Sequence, residues 1–189
     1  MLDKSLMIRP VNPQTDAERI LAIYEPYILD TSVSFEYEVP SLKDFQKRIE
    51  TISASYPYLV WEEDGEILGY TYASPHGERT AFLWDVDLSI YLKKEAQGKH
   101  IGKKLYQALF TILEKQGFIT AYASIATPNL GSKEFHQAMG FTHVATFPKT
   151  GWKQDSWHDL LWFQKIIPQN GLPEKIFCKP SFDWKKGIL

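Results

Sequence analysis

Cysteine is almost absent from this chain: Cys178 is the single one in 189 residues. One thiol cannot close an intrachain disulfide, and no His or Cys stands beside it at metal-ligand spacing. Neither a disulfide framework nor a bound metal is therefore expected. With no activating neighbour in view, Cys178 reads as an ordinary thiol. A charge excess of one sign is missing too. Lys and Arg number 21 against 23 Asp and Glu, for a formal net charge of −2 and a pI near 6.2. Such a balance supplies no basic field for phosphate neutralisation, so nucleic acid is not an expected partner and a small molecule is. Long apolar runs are lacking as well. The stretch from Met1 to Arg9 has no apolar core of signal-peptide length, and nothing later approaches the roughly 18 apolar residues of a membrane span. No membrane partner and a cytoplasmic location are the expectations. Internal repeats and low-complexity segments are also missing.

What the sequence does have is material for one core, 44% hydrophobic residues in a chain at the upper end of single-domain size. One domain over residues 1–167 is expected. Residues 168–189 carry prolines at 168, 173 and 180 and read as an irregular extension.

Met7 to Val11 reads as a first strand, and from Asp16 the residues Ile20, Ile23, Tyr24, Tyr27 and Ile28 recur at helical spacing. Pro26 predicts a kink or break in that helix. Ser41, with Asp44 three places on, marks a second helix entry ahead of Phe45 and Ile49. Tyr58–Trp61 and Ile67–Tyr72 flank Asp64-Gly65, a dipeptide suited to a tight hairpin turn. From Phe82 to Leu92 a strand is expected. Trp84, Val86, Leu88, Ile90 and Leu92 share one face; Asp85, Asp87, Ser89 and Tyr91 form a polar row on the other.

A helix follows, with Ile101, Leu105, Ala108, Leu109, Ile112 and Leu113 on its apolar face and Gly117 as its stop. Ile119 to Ala126 predicts a strand, Ser132 to Met139 a short helix, and Phe141–Phe147 with Trp157–Ile166 the closing strands. The class is mixed α/β, without strict βαβ alternation.

Chemistry is concentrated where the polar-row strand runs through Gln97-Gly98-Lys99-His100-Ile101-Gly102 into the long helix. A helix N-terminus presents unpaired N–H groups and the positive end of its dipole, which suits a pyrophosphate. By itself the turn is equally consistent with glycines that merely permit a tight bend. It is neither a Walker A loop, since no Gly-Lys-Ser/Thr ends it, nor a dinucleotide fingerprint.

This turn resembles motif A of the GNAT acetyltransferase superfamily, Gln/Arg-x-x-Gly-x-Gly/Ala, with Gln97 and Gly102 on the outer positions and His100 where the middle glycine is expected. Further blocks resemble the phosphinothricin and methionine sulfoximine acetyltransferases within it, from about Ile8 to Ile166. Thr31-Ser32-Val33-Ser34-Phe35-Glu36 is similar to their Thr-x-x-Ser-Phe-Glu. Val86-Asp87-Leu88-Ser89-Ile90-Tyr91-Leu92 is similar to Val-Glu-x-Ser-Val-Tyr-Val. Asn129 and Ser132 with Phe135-His136 and Gly140-Phe141 follow the family order, as do Gly151-Trp152-Lys153 and Trp157-His158-Asp159.

The resemblance implies a mostly antiparallel twisted sheet flanked by helices, acetyl-CoA as co-substrate, no metal, and transfer of its acetyl group to the amine of a small amino-acid-like acid by direct attack in a ternary complex. It implies cofactor contacts at Ile90, Leu92, Gln97, Gly98, Lys99, His100, Ile101, Gly102, Asn129 and Ser132. Asp87 stands at the position of the family's proposed base, acting directly or through water, the alternative being a structural carboxylate. His136 stands where many relatives place a donor to the leaving thiolate, the alternative again being structural. Phe35, Glu36 and Tyr91 are implied pocket walls. Arg79 is either a clamp on the substrate's acid group or part of a surface ion pair. The aromatic segment from Trp152 to Trp162 implies a homodimer contact. Other acceptor amines, a polyamine or a protein N-terminus, remain open, as does a CoA-binding module without catalysis.

Overall fold

The computed structural model describes residues 7–168, so the expectations for Cys178 and the C-terminal extension lie outside the described residues. Strand β1 (Met7–Pro10) leads into α1 (Pro13–Leu29). Asn12 caps this helix by accepting from the Gln14 N–H, and Pro13 occupies the first turn, where a missing N–H costs nothing. The helix therefore begins ahead of Asp16, and it continues through Pro26 without a break. Ala22 and Pro26 both lie on its exposed side, so the Ala22 carbonyl that loses its partner meets water. The opposite side buries Ile20, Ile23, Tyr24 and Ile28.

In α2 (Leu42–Ser53) the Ser41 hydroxyl accepts from the Asp44 N–H, and Phe45 and Ile49 are buried, as the spacing predicts. The hairpin of β2 (Tyr58–Glu63) and β3 (Glu66–Pro75) turns at Asp64 and Gly65 with φ of 49° and 81°, the paired positive values a tight hairpin requires.

The next strand, β4 (Asp85–Leu92), starts later than its apolar alternation predicts, because Thr80–Phe82 form a 3₁₀ turn. That turn folds the Phe82 ring back over Gly77, where a Cβ would come within 2.9 Å of the ring. After β4 come α3 (Ile101–Gln116), closed by Gly117 at φ 84°, and β5 (Thr120–Ala126). Helix α4 (Leu130–Ala138) starts before Ser132 because Asn129 is its cap. Strand β6 (Thr142–Lys153) outruns its expected end at Phe147 by shifting register between Phe147 and Gly151. It then turns at Gln154 and Asp155, φ 50° and 55°, into β7 (Ser156–Ile166).

The seven strands form one sheet in the order β1-β2-β3-β4-β5-β7-β6, antiparallel except for β4 beside β5. This is the mostly antiparallel mixed α/β architecture the resemblance implies. Tyr91 of β4 meets Tyr24 and Tyr27 of α1 with ring centroids 4.9 and 5.1 Å apart, which puts α1 over the face of the polar row. The other face carries α3, whose Lys104 Nζ lies 5.4 Å from the Trp61 ring centroid.

At the β1 end of the sheet, Asp16 is 1% exposed and accepts from Arg9 Nη1 at 2.6 Å and from the Asn12 N–H at 2.8 Å. Burial alone raises this carboxyl's pKa, yet the Arg9 and Asn12 hydrogen bonds outweigh it and leave it below its ordinary value.

Candidate active site

The site grows from a defect in the sheet. Strands β4 and β5 pair only at Asp85–Thr120, Val86–Ala121 and Asp87–Tyr122. Beyond those residues β4 stays on β3 up to Leu92 and β5 stays on β7 up to Ala126, so the two strands part. The gap holds a cavity of about 520 Å³ that reaches both faces of the sheet. On the α3 and α4 side it is lined by Tyr106 of α3 and by Asn129, Ser132 and His136 at α4; on the α1 side by Tyr24, Phe35, Glu36, Ser89 and Tyr91. A passage through a sheet gives two ligands separate entrances and one meeting point.

At the α3 start, Gly98 has φ 75° and His100 φ 62°, both left-handed. Alternation of this kind turns successive N–H groups toward one side. No side chain caps α3, in contrast to α4, where Asn129 Oδ1 accepts from the Ser132 N–H. The α3 N–H groups thus remain available to an anion. His100 takes the left-handed conformation itself, and its amide is kept. Gly102 serves packing: a Cβ there would lie 3.3 Å from Ile90 Cδ1 and 3.4 Å from Phe135. Tyr27 ties the turn to α1, donating to the Leu92 carbonyl at 2.6 Å while accepting from Gln97 Nε2 at 3.2 Å.

His136, only 4% exposed, has Nδ1 2.7 Å from the Ser132 carbonyl and Nε2 2.9 Å from the Tyr106 hydroxyl. A carbonyl only accepts, so Nδ1 carries the hydrogen and the Tyr106 O–H donates to Nε2. Burial lowers the His136 pKa, partly offset by the Ser132 bond, so the ring is neutral at pH 7. Burial likewise holds the Tyr106 phenol far above its ordinary value.

The opposite wall hangs on β6. Lys153, 5% exposed, donates from Nζ to the Ile28 and Ser34 carbonyls, each at 2.6 Å, pinning the loop that carries Phe35 and Glu36. Burial lowers the Lys153 pKa. Glu36 is held by Arg48 Nη1 at 2.6 Å and by the Tyr24 hydroxyl at 3.1 Å. Burial pushes the Tyr24 phenol up to about 12, so it stays a donor at any physiological pH.

Of the residues named from sequence, Phe35, Glu36, Ile90, Tyr91, Asn129, Ser132 and His136 line the one cavity. Gln97 to Gly102 adjoin it at the head of α3, with Ile101 and Gly102 buried and the other four exposed. Leu92 packs across Gly69. Asp87 does not line the cavity; it closes the β4–β5 pairing at its foot and lies 2.7 Å from His76 Nδ1. Burial pushes the Asp87 carboxyl up, with His76 holding it partly down. Arg79 is exposed and lies outside the cavity lining.

Sequence reasoning missed Tyr106, His76 and Arg48. A tyrosine on the apolar face of a helix needs a buried partner for its hydroxyl, a signal that was available at Tyr106. His76 and Arg48 gave no local signal.

The family described as Acetyltransferase (GNAT) domain matches residues 8–162. The phosphinothricin N-acetyltransferase of Streptomyces viridochromogenes is 32% identical over 84% of this chain and 86% of its own. An L-methionine sulfoximine/L-methionine sulfone acetyltransferase of Salmonella typhimurium is 28% identical over 85% and 95%. Among solved structures, a GNAT superfamily phosphinothricin acetyltransferase from Sinorhizobium meliloti, in complex with acetyl-CoA, superposes with a TM-score of 0.87. It is 30% identical, over 93% of this chain and 97% of that one. The chain belongs to the GNAT family of acetyl-CoA-dependent N-acetyltransferases.

Proposed function

We propose that this enzyme transfers the acetyl group of acetyl-CoA to the amine of a small amino-acid-like acid, of the phosphinothricin or methionine sulfoximine kind, by direct attack in a ternary complex. The observation that carries the reading is the cavity through the sheet. Its lining runs from Tyr106, Ser132 and His136 on one face to the Phe35, Glu36 and Tyr91 wall on the other, and the uncapped head of α3 packs at Gly102 against Ile90 of that lining. The relatives act on phosphinothricin and on methionine sulfoximine, both amino-acid-like.

In this reading the amides from Gly98 to Gly102 hold the pyrophosphate, with Gln97, Lys99, His100 and Ile101 shaping the turn. The thioester arm runs along Ile90 and Leu92, which lie beyond the last residue of β4 that pairs with β5, between β4 and the Asn129 and Ser132 side of α4. The acceptor enters past Phe35 and Tyr91, with the Glu36 carboxylate favouring an ammonium. Arg79 is the proposed clamp for its acid group. It is exposed and has no ion pair among the described residues, whereas Arg48 is already committed to Glu36.

Asp87 promotes removal of the amine proton, and burial keeps its carboxyl closer to the range a base needs. His136 serves the leaving thiolate through Tyr106: both side chains line the cavity, and the phenol hydrogen that rests on His136 Nε2 turns to the sulfur as the thiolate forms. A homodimer through the β6–β7 hairpin is part of the proposal: Trp152 and Trp157 are 46% and 55% exposed and pack edge to face on each other. A cytoplasmic location fits a reaction that consumes acetyl-CoA.

The deciding experiment is thiol release from acetyl-CoA in the presence of phosphinothricin, methionine sulfoximine, the common amino acids or spermidine. Turnover is expected with the first two and with some amino acids. Turnover on spermidine alone would move the acceptor to the polyamines. Binding of acetyl-CoA with no turnover on any amine would leave a CoA-binding module.

A further inference from the structure

We propose that His76 takes the proton from the acceptor amine and that Asp87 is the positioning residue behind it; the inference rests on the acetyltransferase reading above. His76 Nδ1 lies 2.7 Å from Asp87 Oδ1. An ionised carboxylate only accepts, so Nδ1 carries the hydrogen and the neutral ring keeps its lone pair on Nε2. No hydrogen bond occupies Nε2 among the described residues.

The ring is held in place as well as paired. It stacks on Tyr122 at 4.2 Å between centroids, and the Phe82 and Trp162 rings meet it edge-on at 5.9 and 5.6 Å. Its side chain nonetheless keeps 23% exposure. A side chain fixed on three sides, with one free basic nitrogen and access to solvent, is equipped to pass a proton from a bound ligand to water.

Its location matches that task. Asp87 and Tyr122 are the last paired residues before β4 and β5 part. By strand periodicity they share a face with Ser89 and Tyr91 on one strand and Ser124 on the other, and all three of these line the cavity. The pair therefore stands at the foot of the gap, on the side where the acceptor enters.

Asp87 has a short side chain, and Oδ1 is taken by His76. An imidazole is a stronger base than a carboxylate, and a carboxylate behind it stabilises the imidazolium that forms. The charged groups around the ring are Asp87 in contact with it and Asp85 acting on Asp87. Tyr122 from β5 faces it, while the neighbouring Glu78 and Arg79 are exposed.

The step balances. One ammonium proton moves to His76 Nε2, and the freed lone pair forms the C–N bond at the thioester carbonyl. Collapse of the adduct breaks the C–S bond, the thiolate receives a proton still carried by the attacking nitrogen, and His76 returns its own to water. Ammonium and thioester become amide, thiol and one proton.

The test uses His76→Gln, which retains a donor to Asp87 but has no base, and His76→Phe, which retains the stacking. Turnover is followed against pH together with acetyl-CoA affinity and Tm. Both variants are expected to lose roughly 10²-fold in kcat near neutrality, with acetyl-CoA affinity unchanged. They should also lose the rise in rate across the histidine range of about pH 5–8. His76→Ala should regain part of its turnover from added imidazole, and Asp87→Asn should lower kcat while keeping the rise with pH. If His76→Gln kept near-normal kcat and the same profile, Asp87 would act without His76 and the inference would fall, leaving the enzymatic reading intact. If the unmodified protein acetylated no amine, that reading would fail first and this one with it.

Discussion

Phe35 lies directly against the backbone of Gly151: a Cβ on Gly151 would stand 2.4 Å from Phe35 Cζ and 2.6 Å from Cε2. No rotamer adjustment of an alanine relieves a clash made by its own Cβ, so Gly151→Ala must displace the Phe35 ring and with it the acceptor wall of the cavity. We expect KM for the acceptor to rise about tenfold, the equivalent of a binding loss near 1.4 kcal/mol. Acetyl-CoA affinity, set across the sheet at α3, should stay as it was. Steady-state kinetics with the acceptor varied, beside calorimetry with acetyl-CoA, separates the two. Equal damage to both ligands would show that Gly151 matters for the whole fold and not for the wall.

The Arg9–Asp16 pair makes stability depend on acid in a definite direction. The folded-state pKa of Asp16 is lowered. Its stabilisation is therefore fully present above the unfolded carboxyl value of about 3.9 and is lost as pH falls through the folded value. Glu62, lowered chiefly by its Arg9 hydrogen bond, adds to the same trend. Thermal melts from pH 7 downward should show Tm falling most steeply below about pH 4. Asp16→Asn leaves Arg9 without its buried partner and should cost about 3 kcal/mol, or about 6–12 °C in Tm, at pH 7. The variant should also show a shallower acid dependence than the parent; an unchanged slope would remove Asp16 from this account.

Where local rules decide a feature, the sequence carries it. The caps at Ser41 and Gly117, the Asp64-Gly65 turn, the apolar period of α3 and the polar row of Asp87, Ser89 and Tyr91 all stand in the structure as their spacing predicts. Of the kink or break that Pro26 predicts, the break does not occur: Ala22, whose carbonyl loses its partner, lies on the exposed side of α1, and that exposure is a tertiary fact. The parting of β4 from β5 has no local signature: each strand keeps a regular pattern and stays paired with its other neighbour, β3 or β7, beyond the point where the two separate. His76 was illegible for the same reason, since its partner Asp87 is brought beside it by the β3–β4 pairing. The motif Gly151-Trp152-Lys153 was recognisable as a block, but its physical task, to seat Phe35 and pin the Ile28 and Ser34 carbonyls, emerges only in the fold.

His100 holds a conformation that side chains adopt at a cost. At φ 62° and ψ 9° it is left-handed, which is unfavourable by about 1 kcal/mol for a residue with a Cβ. His100→Gly should raise Tm by about 2–4 °C while leaving the amide in place. Because the proposal gives the pyrophosphate to backbone N–H groups, acetyl-CoA affinity should hold. A tenfold loss of affinity would instead assign the contact to the imidazole. In contrast, Gly98→Ala puts a Cβ at φ 75° and should lower Tm and affinity together.

Tyr106 and His136 offer the last test, at the thiolate side of the reaction. The Tyr106 hydroxyl donates to His136 Nε2 at 2.9 Å, the His136 N–H is held by the Ser132 carbonyl, and both side chains line the cavity. With both ring nitrogens engaged and the ring neutral, His136 has no hydrogen to give directly; the one phenol hydrogen rests on Nε2 and must turn from it to reach the departing sulfur. Tyr106→Phe removes that donor and leaves Nε2 buried without a partner, which should cost about 1–3 kcal/mol of stability. If the hydroxyl also stabilises the departing sulfur, kcat should fall by about 10²-fold, as for other single donors at a developing anion. Acetyl-CoA affinity should change little, since the thioester sulfur is uncharged before attack. His136→Asn, which keeps a hydrogen-bonding group on α4 but no longer orients the phenol, should give an intermediate kcat. A variant lacking the hydroxyl that melts earlier yet turns over at the parent rate would make the pair a packing element of α3 against α4, with the thiolate leaving by solvation alone.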